Sequence, residues 1–199
     1  MGDFSPNVRP IQALKARVWV KQGELEKALD WAREWKLSIE EDPSYLREFE
    51  QITFANILLS QYQNDHSTSS LHDATGYLER LLKAADEGGR MGSAIEILIL
   101  QALAHQMHED IPAALTSLER ALKLAEPEGY MRIFLAEGAS MAELIREIDL
   151  RGILPNYTRK LLSAFEVSDQ GTDVESLPFA EPASTSLIEA LSQRELDIL

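Results

Sequence analysis

An internal repeat is the sequence feature that most constrains the fold of this chain. Residues 78–85 (LERLLKAA) recur 40 residues later as residues 118–125 (LERALKLA), with Leu-Glu-Arg, Leu-Lys and a final Ala at equivalent positions. A helical repeat of about this length is typical of a solenoid, in which each unit is one pair of antiparallel helices. The sequence therefore predicts an all-α fold, a superhelix of helical hairpins without a sheet.

Pairs of alanines support the same fold. Ala16 precedes Ala28 by 12 residues, and Ala102 precedes Ala114 by 12. Because small side chains let helix backbones approach closely, each pair should mark the crossing of two helices in one hairpin. We predict three hairpins, formed by residues 11–21 with 24–37, 46–62 with 71–86, and 93–107 with 111–125.

The second hairpin departs from this spacing, since Ala55 and Ala74 are 19 residues apart. We assign the excess to the polar residues 64–70, which predict an enlarged and mobile turn. After Pro127, shorter helices are expected over residues 130–136, 141–151 and 156–165. These pieces would cap the apolar end of the solenoid, as solubility of a repeat array requires.

The charge balance argues against nucleic-acid binding by this chain. It has 33 acidic and 19 basic residues, a net charge of −14, so a phosphate backbone would be repelled. No apolar run approaches the length of a membrane span, and the N-terminus lacks the pattern of a signal peptide. With no cysteine, the chain has no disulfide or thiolate chemistry, and we expect it to be cytoplasmic.

Residues 166–186 differ in composition from the helices before them. They contain five acidic residues and no basic one, with Gly171, Pro178 and Pro182 interleaved. Such a segment buries too little apolar surface to offset its ordering entropy. We predict a helical repeat domain over residues 1–165, an acidic flexible linker over 166–186, and the start of another domain at 187–199.

The last nine residues indicate what that next domain is. Ser192 and Glu195 form a capping box, and an apolar stripe at helical spacing accompanies it, so a helix begins here and is cut short. The segment resembles the first helix of the LuxR-type helix-turn-helix domain. The positions that match its pattern are Leu191, Ser192, Arg194, Glu195 and Leu199. The recognition helix would lie beyond Leu199.

The repeats carry a family resemblance of their own. In the first and third hairpins, Ala16, Gly23, Ala28 and Ala32, and Ala102, Ala114, Leu118 and Ala121, resemble a divergent tetratricopeptide repeat. Together with residues 125–134 and the C-terminal nine residues, the chain resembles the MalT-type large ATP-dependent LuxR regulators. This resemblance implies an upstream ATPase module, a superhelical region that senses an inducer, and a DNA-binding domain. ATP would then bind outside this chain.

No pattern of catalytic residues is present in the sequence. There is no phosphate-binding loop, and no serine lies in a Gly-x-Ser-x-Gly elbow. His105 and His108 are three residues apart, but no further ligand completes a metal site. We therefore expect neither enzyme activity nor a cofactor or metal in this chain.

Candidate binding residues follow from the geometry of a solenoid, in which the first helix of each hairpin lines the concave surface. Residues beside the alanine seam would project into that groove: Arg17, Lys21, Asn56, Ser60, Glu96, Leu103 and Gln106. Such a lining suits a modest polar ligand or a peptide, although a solvated face would carry similar residues. Arg17 and Lys21 form a basic pair that would attract an anionic group, unless they only offset Glu24 and Glu26.

Three tryptophans are a further candidate. Trp31 and Trp35 are four residues apart on one helix, and Trp19 lies on the helix before it, so together they could present an aromatic wall to a ring. We expect Trp19 in the core and keep Trp35 as a ligand-facing candidate.

Two functions remain open at this point. The chain is either the inducer-sensing and self-associating region of a LuxR-type regulator, or a tetratricopeptide-like scaffold that docks a protein segment in its groove and binds no small molecule. The C-terminal resemblance favours the first.

Overall fold

The computed structural model describes residues 10–66 and 68–170, and all regular structure in that part of the chain is helical. A single 3-10 turn, Tyr45–Arg47, precedes the third of the α-helices. The helices are α1 (Ile11–Lys21), α2 (Leu25–Glu34), α3 (Glu48–Asp65), α4 (Thr68–Glu87), α5 (Met91–Met107), α6 (Ile111–Ala125), α7 (Arg132–Leu135), α8 (Gly138–Leu150) and α9 (Pro155–Gln170). The predicted all-α fold is confirmed for these residues.

Helices α1 and α2 form the first hairpin, with Gly23 in the turn at a φ of +75°. Ala16 and Ala28 are completely buried where the two helices pack, as the 12-residue spacing predicts. Helix α2 ends at Glu34, before the predicted end at residue 37. The reason is that Lys36 takes a left-handed φ of +51°, a conformation that ends a helix.

The prediction of an enlarged turn at residues 64–70 in the second hairpin is wrong. Helix α3 continues to Asp65 and α4 begins at Thr68, so only residues 66 and 67 separate the two helices. His66 terminates α3 in a left-handed conformation, with a φ of +51°. Ala55 and Ala74 are both fully buried, as at the other crossings. One additional turn in each helix adds about seven residues between the alanines, which accounts for their longer spacing.

Helix α5 lies at the centre of the molecule, packed against α3, α4 and α6. Ten of its 17 residues are buried. Ala102 and Ala114 are fully buried between α5 and α6, and the Asp110 side chain accepts a hydrogen bond from the Ala113 backbone N–H at 3.1 Å at the start of α6. Apolar side chains of α1 to α5 form one cluster and those of α5 to α9 form a second, so α5 belongs to both.

The C-terminal helices pack on the last hairpin, with α8 against α6 and α9 against α7 and α8. Phe134 is fully buried and meets the Tyr157 ring edge-on, with 6.4 Å between centroids. The Tyr157 hydroxyl donates to the Tyr130 carbonyl, and burial raises the pKa of Tyr157 to about 12. The segment before α8 is thereby fixed against α9.

The predicted end of the last helix at residue 165 is five residues too early, because α9 continues through Glu166 to Gln170. Leucine, alanine and phenylalanine at positions 161–165 are compatible with a helix, and so is the glutamate that follows them. The remainder of the predicted linker and the helix-turn-helix start at residues 191–199 lie outside the described residues.

No helix in residues 10–66 and 68–170 has the length and apolar character needed to cross a bilayer.

Candidate ligand-binding groove

A cavity of about 850 Å³ opens where the first hairpin faces the C-terminal helices. Its walls are α1, the 3-10 turn with the start of α3, the first half of α5, and the segment 129–137 before α8. Cavities of this size accommodate small organic ligands. Side chains from four separate parts of the sequence therefore meet in one concave site.

Arg17 connects three helices at the base of this cavity. Its Nε donates to the Thr53 hydroxyl of α3 at 2.7 Å, and one terminal nitrogen donates to the Glu96 carboxylate of α5. The guanidinium carbon lies 3.9 Å from the centroid of the Phe49 ring. Because Glu96 neutralises Arg17, the arginine is not the unpaired cation that an anionic ligand would need.

Arg17 also does not pair with Glu24 or Glu26, and Glu24 instead binds Lys27 at 2.8 Å.

Glu137, the residue before α8, brings a further charge to the same place. Burial raises the pKa of the Glu137 carboxyl, Lys21 and Arg17 oppose that rise, and Glu96 adds to it. The lining therefore contains a polar part, here called the polar base, formed by two cationic side chains, Arg17 and Lys21, and two acidic ones, Glu96 and Glu137. Their charges together are close to neutral. Sequence reasoning missed Glu137 because it lies in a capping segment outside the repeat pattern.

Glu48 forms a second charged junction in the wall. Its two carboxylate oxygens accept from Arg90 Nε at 2.7 Å and from the Ser93 hydroxyl at 2.6 Å, so the start of α3 is held to the start of α5. Glu48 is buried, and the Arg90 guanidinium also lies over the Tyr45 ring, 5.6 Å from its centroid. A glutamate beside a 3-10 turn has no sequence signal that separates it from a solvated surface residue.

The mouth of the cavity is apolar. Leu14 and Val18 of α1, Tyr45 and Leu46 of the 3-10 turn, and Tyr130 all line it, and each is exposed. An exposed apolar rim around a polar base suits an amphipathic ligand or a peptide side chain.

A smaller cavity of about 320 Å³ adjoins the first. The two share part of their walls: Lys21, Asn56, Leu100, Ala136 and Glu137. They therefore lie side by side along the groove formed by α1, α3 and α5.

The structure places seven of the eight predicted binding residues along this groove. Arg17, Lys21, Asn56 and Glu96 line the larger cavity. Lys21 and Asn56 also line the smaller one, together with Ser60, Leu103 and Gln106. Whether these residues contact a ligand stays a prediction.

Trp35 is the eighth, and it lies in neither cavity. It follows the last residue of α2 and is 38% exposed, with its ring tilted against Trp31 at 6.5 Å between centroids. Its backbone carbonyl accepts from Arg47 at 2.9 Å. The aromatic wall of three tryptophans is therefore not formed, because Trp31 is buried and Trp19 packs on the core.

Within the described residues, no three histidine or acidic side chains are grouped so that they could bind a metal ion. His105 near the end of α5 is half-buried and His108, directly after the helix, is exposed, and no third ligand in the described residues joins them.

Stacked helical hairpins with a lined groove define a tetratricopeptide-like repeat region. The family model described as the MalT-like TPR region matches residues 2–151, and the chain belongs to this family. It is thus a helical region of a regulatory or protein-interaction type. No curated protein and no solved structure matches the chain.

Proposed function

We propose that this chain is the inducer-sensing region of a cytoplasmic LuxR-type transcription regulator, and that a small uncharged or zwitterionic ligand binds in the larger cavity. One observation carries the proposal. A cavity of about 850 Å³ has a polar base in which opposite charges neutralise each other, within a chain whose net charge is −14. A ligand that offers hydrogen bonds without a strong net charge matches this base.

The walls of the cavity suggest how ligand binding would change the arrangement of the helices. A ligand that contacts both α1 and residues 129–137 would favour the arrangement of hairpins and C-terminal helices in which both walls are close. Residues 191–199, which resemble the start of a helix-turn-helix domain, follow the C-terminal helices in the sequence. In the proposed regulator this shift controls self-association and DNA binding by a domain beyond Leu199, and ATP binds a domain upstream.

A pair of glycine substitutions tests the ligand site. Gly92 in α5 lines the cavity, and a Cβ added there meets no atom within 4 Å, so Gly92→Phe places its ring in the open space. Gly76 in α4 is equally open and lines neither cavity, which makes Gly76→Phe the matched control. Neutral and zwitterionic metabolites such as amino acids, nucleosides and sugars are titrated against each variant.

We expect at least one compound to raise the melting temperature of the wild type and of Gly76→Phe, but not of Gly92→Phe, because ligands that bind only the native state stabilise it. Calorimetric titration then measures the Kd. Equal binding by both variants, or no binding to the wild type, would contradict the proposal.

The second candidate is a scaffold that docks a protein segment, and the exposed apolar rim formed by Leu14, Val18, Tyr45, Leu46 and Tyr130 favours it. A peptide display screen against the same three proteins distinguishes the two. Peptide binding that Leu46→Ser abolishes, in the absence of any small-molecule ligand, would support the scaffold.

A further inference from the structure

Helix α1 has a basic and aliphatic face that the described residues leave uncovered. Ile11, Leu14 and Val18 lie on one side of the helix and are 71%, 41% and 50% exposed. Lys15 and Lys21 are three residues before and after Val18, so they border this apolar stripe on its two sides. We call these five residues the α1 face.

The apolar surface continues beyond the helix. Tyr45 and Leu46 of the 3-10 turn are 52% and 83% exposed and line the same cavity mouth as Leu14 and Val18. Contiguous exposed apolar surface of this kind, rimmed by charged side chains, is typical of an interaction site.

The charge of α1 is opposite to that of the whole protein. The helix has three basic residues and no acidic one, whereas the chain has a net charge of −14. Arg17 is neutralised by Glu96, but neither Lys15 nor Lys21 forms an ion pair with another residue of segments 10–66 and 68–170. The α1 face therefore favours an occupant that is acidic and aliphatic.

The chain itself contains a segment with this chemistry. Residues 171–199 have six acidic residues and one basic residue, and their apolar side chains are concentrated near the end. Those near the end are Leu187, Ile188, Leu191, Leu196, Ile198 and Leu199. The segment begins at the end of α9, and an extended chain of this length spans about 95 Å, more than the roughly 40 Å across a compact domain of this size. It can therefore reach the α1 face.

We propose that residues 171–199 bind the α1 face of their own chain, with aliphatic side chains on the stripe and carboxylates beside Lys15 and Lys21. The contact does not depend on the cavity binding a ligand, so it can be tested separately from the proposed function.

Cysteine cross-linking tests this contact in the full chain, which contains no native cysteine. The test protein has Val18→Cys with Ser192→Cys, and the matched control has Gly76→Cys with Ser192→Cys. Gly76 is exposed on α4, and a Cβ there meets no neighbour. Both proteins are oxidised mildly at low concentration, and the monomeric disulfide product is quantified.

We expect about fivefold or more faster cross-linking through Val18→Cys than through Gly76→Cys, because binding raises the effective concentration at the α1 face alone. Adding Lys15→Glu with Lys21→Glu should abolish that preference. Adding Lys36→Glu with Lys83→Glu, which changes the net charge equally at other exposed lysines, should keep it.

Equal rates for the two cysteine pairs, after correction for the reactivity of each thiol, would overturn the proposal. Covalent dimers as the main product would also overturn it, and would identify the α1 face as a contact with a second copy of the chain. If cross-linking through Val18→Cys is still preferred after Lys15→Glu and Lys21→Glu, the two lysines do not hold the segment. The proposal that residues 171–199 bind the α1 face would then be wrong.

Discussion

Helices α1 and α5 each begin a hairpin whose partner carries an alanine 12 residues downstream, yet the two helices are buried to very different extents. In α1 only Ala13 and Ala16 are buried, whereas ten of the 17 residues of α5 are. The difference follows from their neighbours. Helix α5 packs against α3, α4 and α6, while α1 packs against α2 and α3.

The formation of a hairpin and the burial of its apolar surface have different causes in this molecule. In both hairpins the alanine pair is fully buried, which lets the two helices pack closely. The number of packed neighbours decides how much apolar surface remains exposed. In α1 exposed apolar side chains border the cavity, whereas in α5 most apolar side chains are buried in the core.

The largest expected effect is the contrast between a core leucine and a rim leucine. Leu118 of α6 is fully buried beside α5, and Leu118→Ala should lower the free energy of unfolding by about 3 kcal/mol, since the deletion leaves a cavity. Leu14→Ala on the exposed side of α1 should change it by less than about 0.5 kcal/mol. Urea unfolding followed by circular dichroism measures both. Similar losses in the two variants would mean that the α1 stripe is packed in solution.

A smaller effect is expected for the Arg17–Glu96 ion pair, which joins α1 to α5. A double-mutant cycle with Arg17→Met and Glu96→Gln should give a coupling energy of about 1 kcal/mol, because the pair is partly buried. The exposed Arg33–Asp30 pair on α2 is the control and should give at most about 0.3 kcal/mol. A coupling energy no larger than the control would show that the cavity base is not held by this pair.

The smallest effect concerns the pH dependence at Glu137. Burial raises the pKa of this carboxyl in the folded state, so its contribution to stability is greatest at low pH and is lost as pH rises through the folded pKa. Glu137→Gln should therefore stabilise the protein near neutral pH, and the gain should disappear below about pH 4, where the glutamate is protonated in both states.

Thermal unfolding between pH 3 and pH 8 measures this difference, with Glu143→Gln on the exposed side of α8 as the control. A gain that is independent of pH would assign the effect to something other than the charge on Glu137.

The helices of the first and third hairpins could be predicted closely because their signals are local. The turn at Gly23, the alanine spacings and the stop after Ala125 all act within one repeat. The second hairpin was predicted less well. Polar residues at 64–70 favour a loop, but they are also compatible with the ends of two long helices. Only the packing at Ala55 and Ala74 decides between these outcomes.

The candidate site could be predicted in position but not in chemistry. Helical periodicity placed Arg17 and Lys21 on the side of α1 that faces the groove, and both line it. The same reasoning treated them as equivalent cations, whereas Arg17 is paired and half-buried and Lys21 is not in direct contact with a carboxylate of the described residues. Glu48 and Glu137 were absent from the prediction because no repeat position identifies them.

The sequence by itself determined the helical hairpins, the all-α class and the family, because periodicity, small residues and turn residues act over short distances along the chain. Only the tertiary structure decided which charges meet. Arg17 and Glu96 are 79 residues apart, and Glu137 reaches them from a third region. Whether these side chains come close depends on how successive hairpins are rotated relative to one another. Many packing contacts between distant segments set that rotation, so it cannot be read from any one segment of the sequence.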